Sequence, residues 1–227
     1  DIAGLYEKGR DSILEKALKK ADKPDDELST NLRVTRDVFF NGAFSDEEIC
    51  AEYFGGILAS SRSENGKDDS MIYYVDIVKS MSSKQLKLHY LLYDAVNNYC
   101  FKYVDLNSIN PGDENVLKNK NFYFDGADLA EKIESNDLTL ELHALYKKGL
   151  LDNFRLNPIE VNDDKHVMSL KIGLSSLGIQ LYMVSNNKLS DWRTFFTKKY
   201  DSFELIDQIS LIGTSEKEFL KHLPKNE

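Results

Sequence analysis

Residues 138–184, LTLELHALYKKGLLDNFRLNPIEVNDDKHVMSLKIGLSSLGIQLYMV, decide how this chain folds. Leu138, Leu142 and Leu145 recur at helical spacing and give a short helix its apolar stripe. Lys147 and Lys148 follow where the negative end of the helix dipole favours cations. Gly149 then stands where a left-handed residue stops a helix. LLDNFRLNPIEV reads as a strand, DDK as a turn and HVMSLKIGL as a second strand. Ser175, Ser176 and Gly178 lead into a helix through Leu181, Tyr182 and Val184. A winged-helix module has this helix–glycine–strand–turn–strand order, and many other α+β domains contain it too. The expected fold class is mainly α, of the α+β kind: a multi-helix domain with a winged-helix-like unit in its C-terminal half.

Upstream, the chain reads as helices packing onto that unit. Leu5, Ile13, Leu14, Ala17 and Leu18 give a helix over 5–20, broken by the polar ADKPDDE at 21–27, where Pro24 excludes helix before it. Leu28, Leu32, Thr35 and Phe39 mark a second helix ending near Asn41 and Gly42. In SDEEICAEYFGGILASSRS, Ser45 and Glu48 read as a capping box, with Asp46 and Glu47 at the positive end of the dipole. Ile49, Cys50, Tyr53, Phe54, Ile57 and Leu58 make a wide apolar face, which predicts a central helix. The Gly55–Gly56 pair costs propensity, about 1 kcal/mol each, and points to a helix approaching closely. MIYYVDIVKSM fits a helix, although its β-branched residues leave a strand open. Ser82 or Ser83 caps KQLKLHYLLYDAVNNY, with His89 at the edge of the apolar stripe. Residues 101–124 read as an irregular insertion and DGADLAEKIE as a helix from Asp125. DWRTFFTKKY reads as a short amphipathic helix, and Ser215 with Glu218 as a second capping box. The parts are 1–81, helical; 82–200, winged-helix-like; and 201–227, a cover and helix, all in one compact unit.

A chain of 227 residues with 41% hydrophobic and 30% charged residues is ordinary for a globular protein. No apolar run approaches the roughly 20 residues of a membrane span. The first residue is Asp1 rather than Met, which leaves room for an upstream segment, even a membrane anchor. Cys50 and Cys100 lie inside apolar helical patterns and read as buried thiols of a cytoplasmic protein. The net charge of −9 argues against bulk affinity for nucleic acid or anionic lipid. Residues 139–200 nevertheless hold nine Lys and Arg against six Asp and Glu, a local +3, which a solvated surface also explains.

Three stretches together resemble a known family. SDEEICAEYFGGILASS is similar to the acidic-start helix ending in leucine-leucine-alanine-serine of the Abi-alpha-like family of bacterial proteins. YYVDIVKSMSSKQLKLHYLL resembles that family's next segment, an apolar helix, a serine and a second helix. LYKKGLL followed by GLSSLGIQLY is similar to its closing glycine-leucine pattern, with Ser175 and Ser176 around the family's threonine. The likeness covers roughly residues 40–185. It implies a bacterial intracellular protein grouped with phage-defence, abortive-infection genes, and it brings no catalytic residue or cofactor.

The catalytic signatures sought are missing. The chain has no glycine-rich phosphate loop with lysine and no Gly-x-Ser-x-Gly elbow. His89, His143, His166 and His222 are scattered, without metal-ligand spacing. Asp125, Asp128 and Glu131 share one helix face and would serve a metal-dependent nuclease, but acidic residues in a first helical turn also complement the dipole. Phe122, Tyr123 and Phe124 beside Lys118 and Lys120 suit base stacking or, more simply, an apolar anchor. The leading expectation is a non-enzymatic interaction or sensor protein of phage defence, without cofactor or metal, acting on protein partners, phage-encoded ones among them. The alternative is a DNA-binding regulator using Lys147, Lys148, Arg155, Lys165 and Lys171, with residues 163–166 as the wing. The acidic Asp163–Asp164 tip opposes that alternative.

Overall fold

The computed structural model describes residues 2–23, 26–45, 47–102, 109–162 and 165–222. The chain forms two compact units. The first comprises Asp1–Leu86, Gln180–Trp192 and Asp201–Ile206; the second comprises Lys87–Ile179, Arg193–Tyr200 and Asp207–Glu227.

The first unit is helical. Helices α1 (Ile2–Lys20), α2 (Leu32–Gly42), α3 (Glu48–Ser60) and α4 (Ile72–Lys79) pack together, with a two-residue ladder of β1 (Ser29–Thr30) against β2 (Arg62–Ser63). Every residue of α3 from Ile49 to Ala59 is buried, so this helix is the centre of the unit, as its apolar face required. A Cβ on Gly55 would stand 2.6 Å from the Lys16 side chain of α1, and one on Gly56 would stand 2.2 Å from the Ser185 carbonyl. The glycine pair therefore serves close approach on two sides.

Several expectations for this unit need correction. The cap of α3 is Glu47, with no side-chain hydrogen bond, and Glu48, the first helical residue, forms an ion pair with Lys16. The Ser45–Glu48 capping box does not form. Asp46 lies outside the described residues, as does Pro24. In α1 the buried residues are Gly9, Ile13, Lys16 and Ala17, while Leu5, Leu14 and Leu18 are exposed. Helix α2 starts at Leu32, capped by the Asn31 side chain, and buries Val34 and Val38 rather than Leu32. A hydrophobic residue beside a cap lies on the first turn, where the helix has not yet reached the core.

The second unit carries the winged-helix-like arrangement. Helix α5 (Ser83–Lys102) opens on a reciprocal cap in which the Gln85 amide donates to Ser82 Oγ and the Ser82 amide to Gln85 Oε1, both at 3.2 Å. Then come α6 (Glu114–Lys118), β3 (Phe122–Asp125), α7 (Gly126–Lys132), α8 (Leu138–Lys147), β4 (Leu151–Asn162) and β5 (Lys165–Leu174). The three strands form one antiparallel sheet in the order β3-β5-β4. Part of the stretch read as an irregular insertion is thus regular structure: residues 122–125 supply an edge of the sheet, with Phe122 and Phe124 buried and Tyr123 half-buried. The aromatic triplet is an anchor in the sheet.

Helix α8 packs on β4 and buries Leu138, Leu142 and Leu145, and Gly149 takes the left-handed conformation at φ 72°. Helix α9 (Ser176–Ser185) follows β5. Residues Leu189–Thr194 form a 3-10 turn instead of the expected amphipathic α-helix, with Phe195 and Phe196 buried after it. Helix α10 (Glu216–His222) closes the described chain. Its Ser215 Oγ accepts from the Glu218 amide at 3.3 Å, but Glu218 reaches back to the Thr214 amide rather than that of Ser215. The box is displaced by one residue.

Candidate interaction face

The helix–glycine–strand unit is held from behind by α5. Tyr93 Oη donates to the Leu150 carbonyl at 2.6 Å and accepts from the Ser175 amide at 3.3 Å. Ser175 Oγ donates to the Gly149 carbonyl at 2.6 Å and accepts from the Gly178 amide at 2.9 Å. One tyrosine and one serine thereby join the entry to β4 with the exit from β5. His89 stacks on Tyr93 with ring centroids 4.5 Å apart, and its Nε2 lies 3.1 Å from the Gly178 carbonyl. It is fully buried, not at the edge of the stripe, and the carbonyl meets the hydrogen-bonding need of one ring nitrogen. Burial lowers the His89 pKa to about 3, and its hydrogen bond to Gly178 opposes that only in part. Burial also pushes the Tyr93 hydroxyl up. Asn97 performs a similar duty: its Nδ2 donates to the carbonyls of Phe195 and Lys198, and its Oδ1 accepts from the Tyr200 amide.

With its leucines turned inward, α8 presents Thr139, Leu140, His143, Tyr146 and Lys147 outward. Leu140 is 63% exposed and Tyr146 43%. Phe154 of β4 extends this surface: the His143 ring meets it edge-on at 4.8 Å, and the Tyr146 ring does so at 6.2 Å. His143 Nδ1 contacts the Thr139 carbonyl of its own helix at 2.9 Å, which fixes the ring against Phe154. A shallow cavity of about 420 Å³ lies here, lined by Thr139, His143, Tyr146, Asn153, Phe154 and Arg155 among others. Tyr146 and Phe154 give it aromatic walls, and Arg155 adds one cation to its lining.

The cations expected to serve nucleic acid lie on three elements: Lys147 and Lys148 at the end of α8, Arg155 on β4, and Lys165 and Lys171 on β5. Arg155 and Lys171 are cross-strand partners and line a second concavity of about 350 Å³ with Tyr123, Asn157 and Glu216. Glu216 and partial burial together raise the Tyr123 pKa, burial being the larger cause. Lys147 is exposed at the end of α8, its Nζ 5.9 Å from the Tyr146 ring, and Lys148 is half-buried at the cap. Lys165 opens β5, and its side chain lies outside the described residues, as do Asp163 and Asp164 of the expected wing tip. Among the described residues neither Lys147 nor Arg155 forms an ion pair. Sequence reasoning missed the aromatic surface. Its signal was a second stripe, Thr139, His143 and Tyr146 at i, i+4, i+7, on the helix side away from the leucines.

Of the acidic trio, Asp125 has a capping role. Asp125 is the N-cap of α7, accepting from the Ala127 amide at 2.8 Å and the Asp128 amide at 3.4 Å. Among the described residues no group of three His, Cys, Asp or Glu could hold a metal ion, and no helix is long and apolar enough to cross a membrane. Cys50 and Cys100 are buried thiols, that of Cys100 pushed up to about 12 by burial. No family model matches the chain, and neither a curated protein nor a solved structure matches it.

Proposed function

We propose that this chain is a recognition protein whose α8–β4 face docks a protein partner, in line with the phage-defence role implied by its Abi-alpha-like resemblance. The observation that carries this reading is the composition of the face. Where a winged helix used on DNA sets side chains toward base edges and phosphates, α8 offers Leu140, His143 and Tyr146, backed by Phe154. Aromatic anchors within a polar rim are the pattern of protein interfaces. The rim cations Lys147 and Arg155 complement a partner segment that carries an apolar side chain flanked by carboxylates. The test is quantitative capture from infected and uninfected bacterial cells, comparing the wild-type chain with Tyr146→Ala and Arg155→Glu. A partner retained by the wild type and lost from both variants supports the reading; a partner set unchanged by them contradicts it.

DNA binding is the second reading, favoured by the β3-β5-β4 order and by the adjacency of Arg155 and Lys171 across β4 and β5. It requires duplex affinity that falls steeply with salt and disappears on charge reversal at Lys147, Lys148 and Arg155. Duplex affinity absent at low salt removes it.

A further inference from the structure

The first unit contains a group of charges that the interaction face does not use. Lys16 and Lys20 of α1 both reach the Glu52 carboxylate of α3, Lys16 at 2.8 Å, and Lys16 also pairs with Glu48. The Lys16, Lys20 and Glu52 side chains are almost wholly enclosed. Lys20 Nζ donates to the Glu52 carbonyl at 2.7 Å and lies 4.2 Å from the centroid of the Phe203 ring, which roofs it. Lys20 also lines a cavity of about 260 Å³, together with Asn186, Phe203 and the charged groups of the rim. At the mouth Lys19 pairs with Glu204 at 3.2 Å and Lys188 with Asp22 at 2.5 Å, all four more exposed than the buried trio, and Asp201 lies beside them.

We propose that Lys20 is a reactive amine that captures a small carbonyl compound, an aldehyde or 2-oxo acid, as a Schiff base inside this cavity. The parts required are together. A buried amine without a full shell of water is held beside a carboxylate that can take its proton, under an aromatic wall and next to a second cation. In the step, the Lys20 ammonium passes a proton to Glu52, and the neutral nitrogen adds to the carbonyl carbon. The resulting carbinolamine hydroxyl regains the proton and leaves as water, so the C=N bond replaces C=O with no change of oxidation state. The rim ammoniums of Lys19 and Lys188, which pair with exposed carboxylates, are placed to exchange those partners for the carboxylate of a 2-oxo acid.

Two differences separate Lys20 from the neighbouring lysines. Burial, the largest cause, lowers its pKa to about 8, with the charge of Lys16 adding to the effect and Glu52 opposing it. Burial also opposes the charge of Lys16, yet its hydrogen bonds to Glu48 and Glu52, with the charges of those carboxylates, outweigh it and hold that amine up at about 12. Near pH 7 the neutral fraction of Lys20 is roughly 300 times that of an ordinary lysine. Since a less basic amine is a weaker nucleophile, the expected rate advantage is on the order of tenfold.

The experiment treats the full chain with glyoxylate or propanal at pH 7, traps the imine with cyanoborohydride and maps the modified peptide by mass spectrometry. The expected result is Lys20 modified about tenfold faster than Lys19 or Lys188, with selectivity abolished in guanidinium. Lys20→Arg keeps a cation on Glu52 and should lose the fast site while its circular dichroism stays that of the wild type. Should that variant misfold, the wild-type rate of Lys20 from pH 6 to 10 decides by itself: a midpoint near 8 supports the proposal. Modification spread over surface lysines in proportion to exposure, or a Lys20 midpoint near 10.5, overturns it.

Discussion

Replacing Glu52 by Gln removes the one carboxylate that two enclosed lysines share. At 2.8 Å, the Lys16–Glu52 attraction alone is about 6 kcal/mol at an effective dielectric constant of 20. Desolvation of both ions offsets most of that, and the measured cost of breaking a buried pair is about 3–5 kcal/mol. Lys16 keeps Glu48 in the variant, so the loss falls on Lys20, which is left charged and enclosed beside a neutral amide. The pH dependence identifies the cause. A lysine whose folded pKa is lowered penalises the fold in full below that value, and the penalty fades as pH rises toward the unfolded value near 10.5. For wild-type Lys20 the window is pH 8 to 10.5, where Lys16, held up at about 12, still retains its proton. Without Glu52 the Lys20 value falls further, which widens the window. Urea denaturation should therefore show Glu52→Gln less stable by about 3–5 kcal/mol at pH 7, with the deficit shrinking at pH 10. A deficit below about 1 kcal/mol at both pH values would mean that water screens the group, and the reasoning about its enclosure would be wrong.

Gly56→Ala places a methyl group 2.2 Å from the Ser185 carbonyl, a backbone atom that cannot swing aside, and should cost at least about 1–3 kcal/mol in the same assay. Tyr93→Phe strands the buried Leu150 carbonyl and should lower stability by about 1–3 kcal/mol, detectable as an earlier urea midpoint. His89 has a folded pKa of about 3, so its contribution is complete above the unfolded value near 6.5 and is lost as pH falls through the window from 6.5 to 3. Stability should drop by up to about 3 kcal/mol between pH 6.5 and 4.5 from this group alone, and the His89 ring should show no NMR titration in that range.

The stretch 138–184 was legible because its signals agree: three leucines at helical spacing, a glycine stop, then two strands and a serine-capped helix, all of which the fold contains. Agreement of local signals is what makes a reading reliable. The strand at 122–125 was not legible, because four residues carry too little periodicity and its partner, β5, lies some fifty residues away. The capping box at Ser45 failed because the helix starts later, with Glu47 at the cap and Glu48 in the first helical position, where its carboxylate pairs with Lys16. The proposed interaction face was half legible. Lys147 and Arg155 stood out by charge, while Leu140, His143 and Tyr146 took on meaning only once the leucine stripe showed which side of α8 faces outward.

The most direct test of partner docking through α8 and β4 is photo-crosslinking in living bacteria, with benzoylphenylalanine placed at position 140 or 146 and, as a control, at the exposed Tyr73 of α4. The account predicts a discrete protein adduct from positions 140 and 146 and none from position 73. Adducts to DNA from α8, or the same adducts from all three positions, would contradict it.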